Sequence, residues 1–186
     1  MSNNFAPWDS CTMDARGPQP GALALLAWHR EADVPPGRSG GIFAPRNVRG
    51  GTTRSVHACG RALDWMRPVA RSTGRGTASG ERLVRLLARH GRRVGIQLII
   101  YNRRIYSARN PEGVYYGGVH PHYDHLHIEL TRAAAQNLTL ATLRAVLGDH
   151  RPKPEKENER MERIDLTGVV ANRRATYVRG ENVASL

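Results

Sequence analysis

The chain has 186 residues, a length that predicts one domain with room for a short appendage. Its 28 Lys and Arg residues, of which 26 are arginine, outnumber 16 Asp and Glu residues and give a formal net charge of +12. A hydrophobic fraction of 40% is enough for a packed core and excludes a disordered acidic chain. No apolar run approaches the roughly 18 residues of a transmembrane helix, so we expect no membrane span. The positive charge predicts an acidic partner: nucleic acid, a membrane surface or an anionic cell wall.

The first half of the chain is predicted to contain two helices joined by long loops. Residues 1–20 are polar and include Pro18 and Pro20, so we expect an irregular lead-in. The run from Gly21 to Arg30 predicts a short helix, and residues 33–55, rich in Gly, Pro, Arg and Ser, predict a loop. A second helix is expected to begin at Ser79 and to end at Gly91, because leucines recur at helical spacing between them.

The second half of the chain is predicted to contain the strands. The run from Val94 to Tyr101 predicts a buried strand, and Arg104 to Ser107 predicts a second, shorter one. Residues 108–122 predict a loop. The segment His125-Leu-His-Ile-Glu-Leu130 alternates with period two, which places its histidines and its glutamate on one face and its aliphatic residues on the other. Residues 132–147 predict a helix.

Composition divides the chain into a domain and a short C-terminal part. We predict one domain over residues 1–147, with its core at about 40–147. Residues 148–160 are rich in proline and charge and predict a linker. Residues 161–186 predict a C-terminal tail that is too short for a core of its own. Residues 1–147 carry 20 basic and 9 acidic side chains, or +11, and residues 148–186 carry only +1, so the positive surface is expected on the domain.

The N-terminus and the cysteines bear on whether the protein is exported and on the redox state of its compartment. The first residues lack a basic stretch followed by an apolar one, so we expect no standard export signal. The only two cysteines, Cys11 and Cys59, could form one disulfide, but we expect both to be free thiols. They do not form a C-x-x-C pair.

Histidines and aspartates concentrate in two segments. Four of the eight histidines lie between positions 120 and 127, with Asp124 among them, and His57 and Asp64 lie upstream. A catalytic zinc site takes three His or carboxylate ligands and leaves one position open to water. His57, Asp64 and His127 can supply these ligands. Asp124, three residues before His127, is then placed to accept a proton from the attacking water.

Other residues of these segments have competing interpretations. His120 and His122 are interpreted as rim residues of a cleft rather than as metal ligands. Cys59 could compete for zinc, although a side chain between two inward-pointing motif residues would point away, and we expect a small buried filler. Asp64 could instead cap a helix, but its spacing from His57 favours the ligand role.

The two segments resemble the motifs of the zinc D-alanyl-D-alanine carboxypeptidases and related peptidoglycan L,D- and D,D-peptidases. The pattern Ser-x-His-x-x-Gly-x-Ala-x-Asp is met from Ser55 to Asp64, and Asp-His-x-His is met from Asp124 to His127. The resemblance covers roughly residues 40–130, and flanking segments look similar to versions carried by phages of actinobacteria. It implies an α+β fold of the Hedgehog/DD-peptidase type, with a small antiparallel sheet, flanking helices and one Zn²⁺ ion.

The resemblance also implies a role for each matching residue. His57, Asp64 and His127 would bind zinc. Asp124 would be the general base that activates water and later protonates the leaving amine. His125, on the same strand face as His127, would orient the site or hydrogen-bond to it as a second catalytic residue.

The resemblance identifies the substrate-binding residues less closely than it identifies the metal ligands. The family places an arginine upstream of its first histidine, to hold a substrate carboxylate or to stabilise the tetrahedral oxyanion. Arg46 is the leading candidate for this catalytic and binding role, and Arg49 and Arg54 are alternatives. Ser55 would bind substrate or support His57. The residues expected to contact substrate are Ser55, Arg46, Trp65 and Tyr123.

Together these expectations predict a zinc metallopeptidase that degrades the bacterial cell wall. Its substrate would be the peptidoglycan stem peptide, cut at a D-Ala–D-Ala or an L-Ala–D-Glu bond, and its charge would attract anionic cell-wall polymers. We expect a bacteriophage tail-associated hydrolase in the virion, with residues 148–186 docking to other tail proteins. The alternatives are a phage endolysin held in the host cytoplasm until lysis and a structural tail protein with an idle peptidase fold. Nucleic-acid binding is not expected, because no stacking platform, helix-turn-helix or phosphate-cradling motif is present.

Overall fold

The computed structural model describes residues 4–32 and 38–148, which lie in one unit, Met1–His150. Apart from Gly148, the predicted linker at 148–160 lies outside the described residues, as does the whole predicted tail at 161–186. Among the described residues, no helix combines the length and the apolar character needed to cross a membrane.

The fold is of the α+β class and contains an antiparallel sheet of six strands. In space the strands follow the order β1-β2-β6-β3-β4-β5, and all neighbouring pairs are antiparallel. The last strand of the described residues, which carries His125 and His127, therefore lies in the interior of the sheet. In chain order the strands are β1 (Ser39–Gly41), β2 (Ala62–Met66), β3 (Ile96–Tyr101), β4 (Arg104–Ser107), β5 (Val114–Tyr115) and β6 (His125–Leu130).

Alternation along β6 separates the core from the candidate site. Leu126, Ile128 and Leu130 have no exposed surface and belong to one apolar cluster with Leu63 on β2 and Ile99 on β3. Each such side chain contributes about 2 kcal/mol of hydrophobic stabilisation. The two histidines and the glutamate of β6 point to the opposite face. The predicted strand and its alternation are confirmed.

The helices complete the core. The second helix packs on β3, and the first packs on β2 and on the last two helices. Threonine side chains cap the N-termini of the last three helices by accepting a backbone N–H, which satisfies donors that would otherwise be unpaired. The helices are α1 (Pro20–Ala32), α2 (Ala78–Val94), α3 (Arg132–Asn137) and α4 (Leu140–Leu147).

Two predicted helix boundaries are wrong. Gly91 lies inside α2, where a Cβ atom would come within 2.9 Å of the Asn4 carbonyl oxygen, so the glycine permits a close approach of the lead-in. The helix ends instead at Val94 and is capped by Gly95, whose φ of 73° is typical of a helix C-cap. The single helix predicted over 132–147 is two helices, because Thr139 caps a new one.

Three strands were not predicted. β1 and β5 lie within the predicted loops and are three and two residues long, too short to show a period. β2 contains Asp64, which interrupts the apolar run, so the local sequence pattern favours a turn rather than a strand. Its strand conformation comes from pairing with β1 on one side and, on the other, with β6, which comes much later in the chain.

The lead-in at residues 4–19 has neither helix nor strand, as predicted, yet it is attached to the domain. A disulfide joins Cys11 to Cys59, so the prediction of free thiols is wrong, and Cys59 is not a buried filler. Gln19 donates its backbone N–H to the Gly60 carbonyl at 2.9 Å. A separation of 48 residues and an irregular path leave no local signal for this pairing.

Candidate metal centre

Three side chains from two paired strands and one turn converge on a single point. The register places Asp64 on β2 opposite His127 on β6, and His57 lies in the turn before β2. Asp64 Oδ1 is 3.2 Å from His57 Nε2 and 2.9 Å from His127 Nδ1, and the two ring nitrogens are 3.2 Å apart. These are the three predicted metal ligands, and their arrangement can hold a metal ion.

The outer nitrogens of both histidines face hydrogen-bond acceptors. His57 Nδ1 lies 2.8 Å from the Ile42 carbonyl oxygen, which can only accept, so this nitrogen carries a proton. His127 Nε2 lies 3.0 Å from Glu129 Oε1, and a carboxylate likewise accepts. If each ring is neutral, its remaining nitrogen therefore turns a lone pair toward the Asp64 carboxylate.

Three electron-rich atoms at these distances repel one another unless a cation lies among them. Either a proton or a metal ion can fill that place. Two imidazole nitrogens and one carboxylate oxygen are a common ligand set for a divalent metal, and hydrogen bonds to the outer nitrogens are what orients such ligands in proteins. The donor set of this chain therefore fits a divalent metal ion.

In the metal-free chain a proton takes this place. Burial lowers the pKa of His127, but its hydrogen bonds to Asp64 and Glu129 outweigh burial and raise the pKa to about 10. Burial raises the pKa of Asp64, but the hydrogen bonds with His127 and His57 outweigh it and hold the pKa well below its usual range. At neutral pH a metal ion must therefore displace a proton from His127.

Glu129 is a residue whose role the sequence analysis did not assign. It is buried, its Oε1 accepts from His127, and Gln97 donates to its Oε2 at 3.0 Å. It therefore fixes the orientation of the His127 ring. The signal was its position two residues after His127, on the same strand face.

The turn that carries His57 depends on two other motif residues. Ser55 Oγ accepts the backbone N–H of His57 at 3.3 Å, which is one of the two roles predicted for Ser55. Gly60 has a φ of 64°, and a Cβ atom there would lie 2.2 Å from the Gly17 carbonyl oxygen. Both the backbone conformation and the neighbouring lead-in therefore require glycine.

The three candidate metal ligands line a cavity of about 150 Å³, and only two of the three candidate arginines line it as well. Arg46 and Arg49 line this cavity together with Ser55. Arg54 does not line it, because two nitrogens of its guanidinium are bound by the Asp14 carboxylate. Arg46 and Arg49 thus remain as candidates for the predicted anion-binding arginine.

His125 and Asp124 form a pair at the edge of the cavity. His125 lines the cavity, with Nε2 3.7 Å from Asp64 Oδ1, and its Nδ1 lies 2.8 Å from Asp124 Oδ1. The Asp124 side chain is 47% exposed and does not itself line the cavity, although its hydrogen-bond partner His125 does. Burial raises the pKa of Asp124, but its hydrogen bond with His125 outweighs burial and lowers the pKa below its usual value. Asp124 is therefore ionised at neutral pH.

Two predicted substrate residues are not brought to this cavity. Trp65 follows Asp64 on β2 and points to the opposite face, where it has no exposed surface and stacks on His29 with ring centroids 5.1 Å apart. A fully buried side chain cannot contact substrate, so this prediction is wrong for Trp65. Tyr123 lines a different pocket, with Arg103 and Tyr115 among its neighbours.

His120 and His122 do line the cavity, together with His125. His120 is half-buried, as a rim residue would be, whereas His122 is only 8% exposed. Burial and the neighbouring histidines lower the pKa of His122 to about 3, so its ring is neutral at physiological pH. The sequence offered only the local density of histidines as a signal for this second group.

The sequence was also compared with known protein families. A family model described as VldE, C-terminal domain matches residues 29–145, which is more than half of the chain. The matched range contains both motif segments and all the ligand candidates of the metal centre. No curated protein and no solved structure gives a significant match.

Proposed function

The chain belongs to the VldE C-terminal domain family, and from the geometry of its candidate metal centre we propose that it is a zinc-dependent peptidoglycan peptidase. The proposed fold type is that of the Hedgehog/DD-peptidase zinc domains, and the proposed substrate is the stem peptide, cut at a D-Ala–D-Ala or an L-Ala–D-Glu bond. The observation that carries this proposal is the convergence of His57 Nε2, Asp64 Oδ1 and His127 Nδ1. Three protein ligands leave one coordination position open, which is typical of catalytic rather than structural zinc.

The neighbouring residues supply the remaining chemistry of a hydrolysis. His57, Asp64 and His127 would hold the zinc ion, which would supply the Lewis acidity needed to activate water and a substrate carbonyl. Asp124, ionised at neutral pH, accepts a proton from the attacking water and passes it to the leaving amine. His125 positions this carboxylate and connects it to the cavity. Arg46 or Arg49 binds the substrate carboxylate or the oxyanion that forms during attack.

The charge of the domain and the motif resemblance both bear on where this activity takes place. The net charge of +11 on residues 1–147 favours binding to anionic wall polymers. Similarity to phage versions of the motifs supports a phage cell-wall hydrolase, and a docking role for residues 148–186 favours a tail-associated one, with an endolysin released at lysis as the alternative. Immunodetection of the chain in purified virions distinguishes them: presence supports the tail location, and absence from virions but presence in lysates supports the endolysin.

Digestion of purified cell walls by the zinc-loaded chain tests the activity itself. We expect release of peptide fragments or D-alanine that stops when a chelator removes the metal. Asp124→Asn should keep zinc and lose about 10²- to 10⁴-fold in turnover, because the proton acceptor is removed. Glu112→Gln, on the surface and with the same change in charge, should have normal activity.

The two unfavourable outcomes have different meanings. A chain that binds zinc but digests no cell wall would contradict the enzyme and favour a structural tail protein. Full activity of Asp124→Asn would contradict only the assignment of the base.

A further inference from the structure

We propose that the cavity binds a second divalent transition-metal ion, held by His120, His122 and His125 beside the first centre. Each of these side chains offers one ring nitrogen, and the three nitrogens lie within 4.8 Å of one another. The ring centroids are 4.7 to 5.1 Å apart. None of the three belongs to the ligand set at His57, Asp64 and His127, so the two clusters can be filled at the same time.

His122 carries the clearest sign of a missing ligand. Its side chain is 8% exposed, and its Nδ1 is buried with no hydrogen-bond partner among the described residues. A buried polar atom without a partner destabilises the fold, and a bond to a metal would satisfy it. His122 also has a left-handed φ of 54°, a conformation that residues other than glycine adopt rarely and that clusters at binding sites.

The loop that carries His120 and His122 is fixed before any metal binds. The Asn102 N–H donates to the His122 carbonyl at 2.8 Å, and the Arg103 N–H donates to the Pro121 carbonyl at 2.9 Å. The guanidinium of Arg103 also donates to the Gly118 carbonyl at 2.7 Å. The turn between β3 and β4 therefore holds the loop in place, so little ordering is needed when a metal binds.

The other two histidines are oriented by their own neighbours. His125 Nδ1 faces the Asp124 carboxylate, which leaves Nε2 toward the cavity, and a carboxylate behind a histidine ring is a common support for a metal ligand. His120 Nδ1 accepts the His122 backbone N–H at 3.2 Å. Ligation through that same nitrogen would replace this long hydrogen bond.

The donor set selects the class of metal. Three imidazole nitrogens suit Zn²⁺, Co²⁺, Ni²⁺ or Cu²⁺, whereas Mg²⁺ and Ca²⁺ prefer oxygen ligands. The set brings no negative charge, so we expect weaker binding here than at the cluster that contains Asp64. The His122 and His127 rings are 5.8 Å apart, which makes this a two-metal cavity.

A count of bound metal in the full, untagged chain tests the proposal. Chelator-stripped protein is titrated with Zn²⁺ alone, and bound ions are counted by native mass spectrometry. We expect two ions in the unmodified chain and one in His122→Asn, since asparagine tolerates the left-handed backbone but lacks the imidazole. Asp64→Ala should also hold one ion, at the second cluster. His90→Asn, on α2, is the matched control and should hold two.

One ion in the unmodified chain, or two ions in His122→Asn, would overturn the proposal. Circular dichroism checks that each variant is folded, and His120→Asn replaces His122→Asn if that variant does not fold. The metal count does not depend on cell-wall digestion. An inactive chain with two ions would therefore contradict the proposed function alone, and an active chain with one ion would contradict only the second site.

Discussion

The two histidine clusters share one cavity but are built by different parts of the fold. Asp64 and His127 face each other across paired strands, so backbone hydrogen bonds of the sheet set their separation. The cluster of His120, His122 and His125 depends on a loop that a few contacts hold against a neighbouring turn. The first cluster also includes a carboxylate, and the second does not. We call His57, Asp64 and His127 the sheet cluster, and His120, His122 and His125 the loop cluster. We expect the sheet cluster to bind a metal ion tightly and to release a proton as it does so. We expect the loop cluster to bind its ion weakly and to lose it easily.

The largest expected effect follows from His127→Ala. It removes a candidate metal ligand and leaves the half-buried Asp64 carboxylate and the buried Glu129 carboxylate without the imidazole between them, which should destabilise the metal-free chain by about 3 kcal/mol. Metal analysis should find no tight site, while the loop cluster still takes up an ion. Thermal unfolding of this variant and of the control His90→Ala measures the loss of stability. Tight zinc binding by His127→Ala would show that the sheet cluster is not the primary site.

The pH dependence of zinc binding should separate the clusters next. In the metal-free chain His127, between Asp64, Glu129 and His57, has a pKa raised to about 10, so its proton must leave when metal binds. Asp64 stays ionised because its pKa is lowered. Affinity at the sheet cluster should therefore rise roughly tenfold per pH unit as the pH rises toward 10. Chelator competition at about pH 6.5, 7.5 and 8.5 measures this slope.

The same titration should give a different result at the loop cluster. Burial lowers the pKa of His122 to about 3 and also lowers the pKa of His120, so neither ring holds a proton at neutral pH. Binding of the second ion should then release no proton from His120 or His122 in this range. In Asp64→Ala, where only the loop cluster remains, a slope as steep as that of the sheet cluster would contradict the contrast between the two.

A smaller effect is expected for Glu129→Gln. Glutamine can still accept from His127 Nε2 but carries no charge, so the ring becomes a weaker ligand. Zinc affinity at the sheet cluster should fall about 10- to 100-fold, with the second ion unaffected. Glu112→Gln removes an exposed charge and should leave both affinities unchanged. Equal losses at both clusters would indicate a general change in the cavity rather than support of His127.

Local patterns predicted the elements of the sheet cluster better than those of the loop cluster. The alternation of β6 is visible within six residues and placed His127 correctly. β2 could not be predicted, because Asp64 breaks its apolar run and its strand conformation depends on pairing with β1 and β6. The burial of Trp65 could not be predicted either, because it depends on β2: alternation along this strand places Trp65 on the face opposite Asp64.

The loop cluster and the disulfide depend on contacts between distant segments. His122 reads as an exposed loop residue, and its burial comes from the β3–β4 turn, whose backbone holds the loop against the sheet. Cys11 reaches Cys59 only because the lead-in runs alongside the turn after His57. Neither arrangement follows from the period or composition of a single segment, so the structure was needed for both.

The smallest predicted effect concerns the support of the loop cluster. Arg103→Gln removes the guanidinium hydrogen bond to Gly118, worth about 1 kcal/mol, and so should weaken the second ion about fivefold and leave the first unchanged. Arg104→Gln is the matched control, since this next residue loses the same charge but donates to the carbonyls of Glu112 and Gly113 instead. Zinc titrations of both variants measure the difference. If only Arg103→Gln weakens binding of the second ion, the turn between β3 and β4 positions the loop histidines. If Arg104→Gln weakens it equally, the cause is the loss of one positive charge.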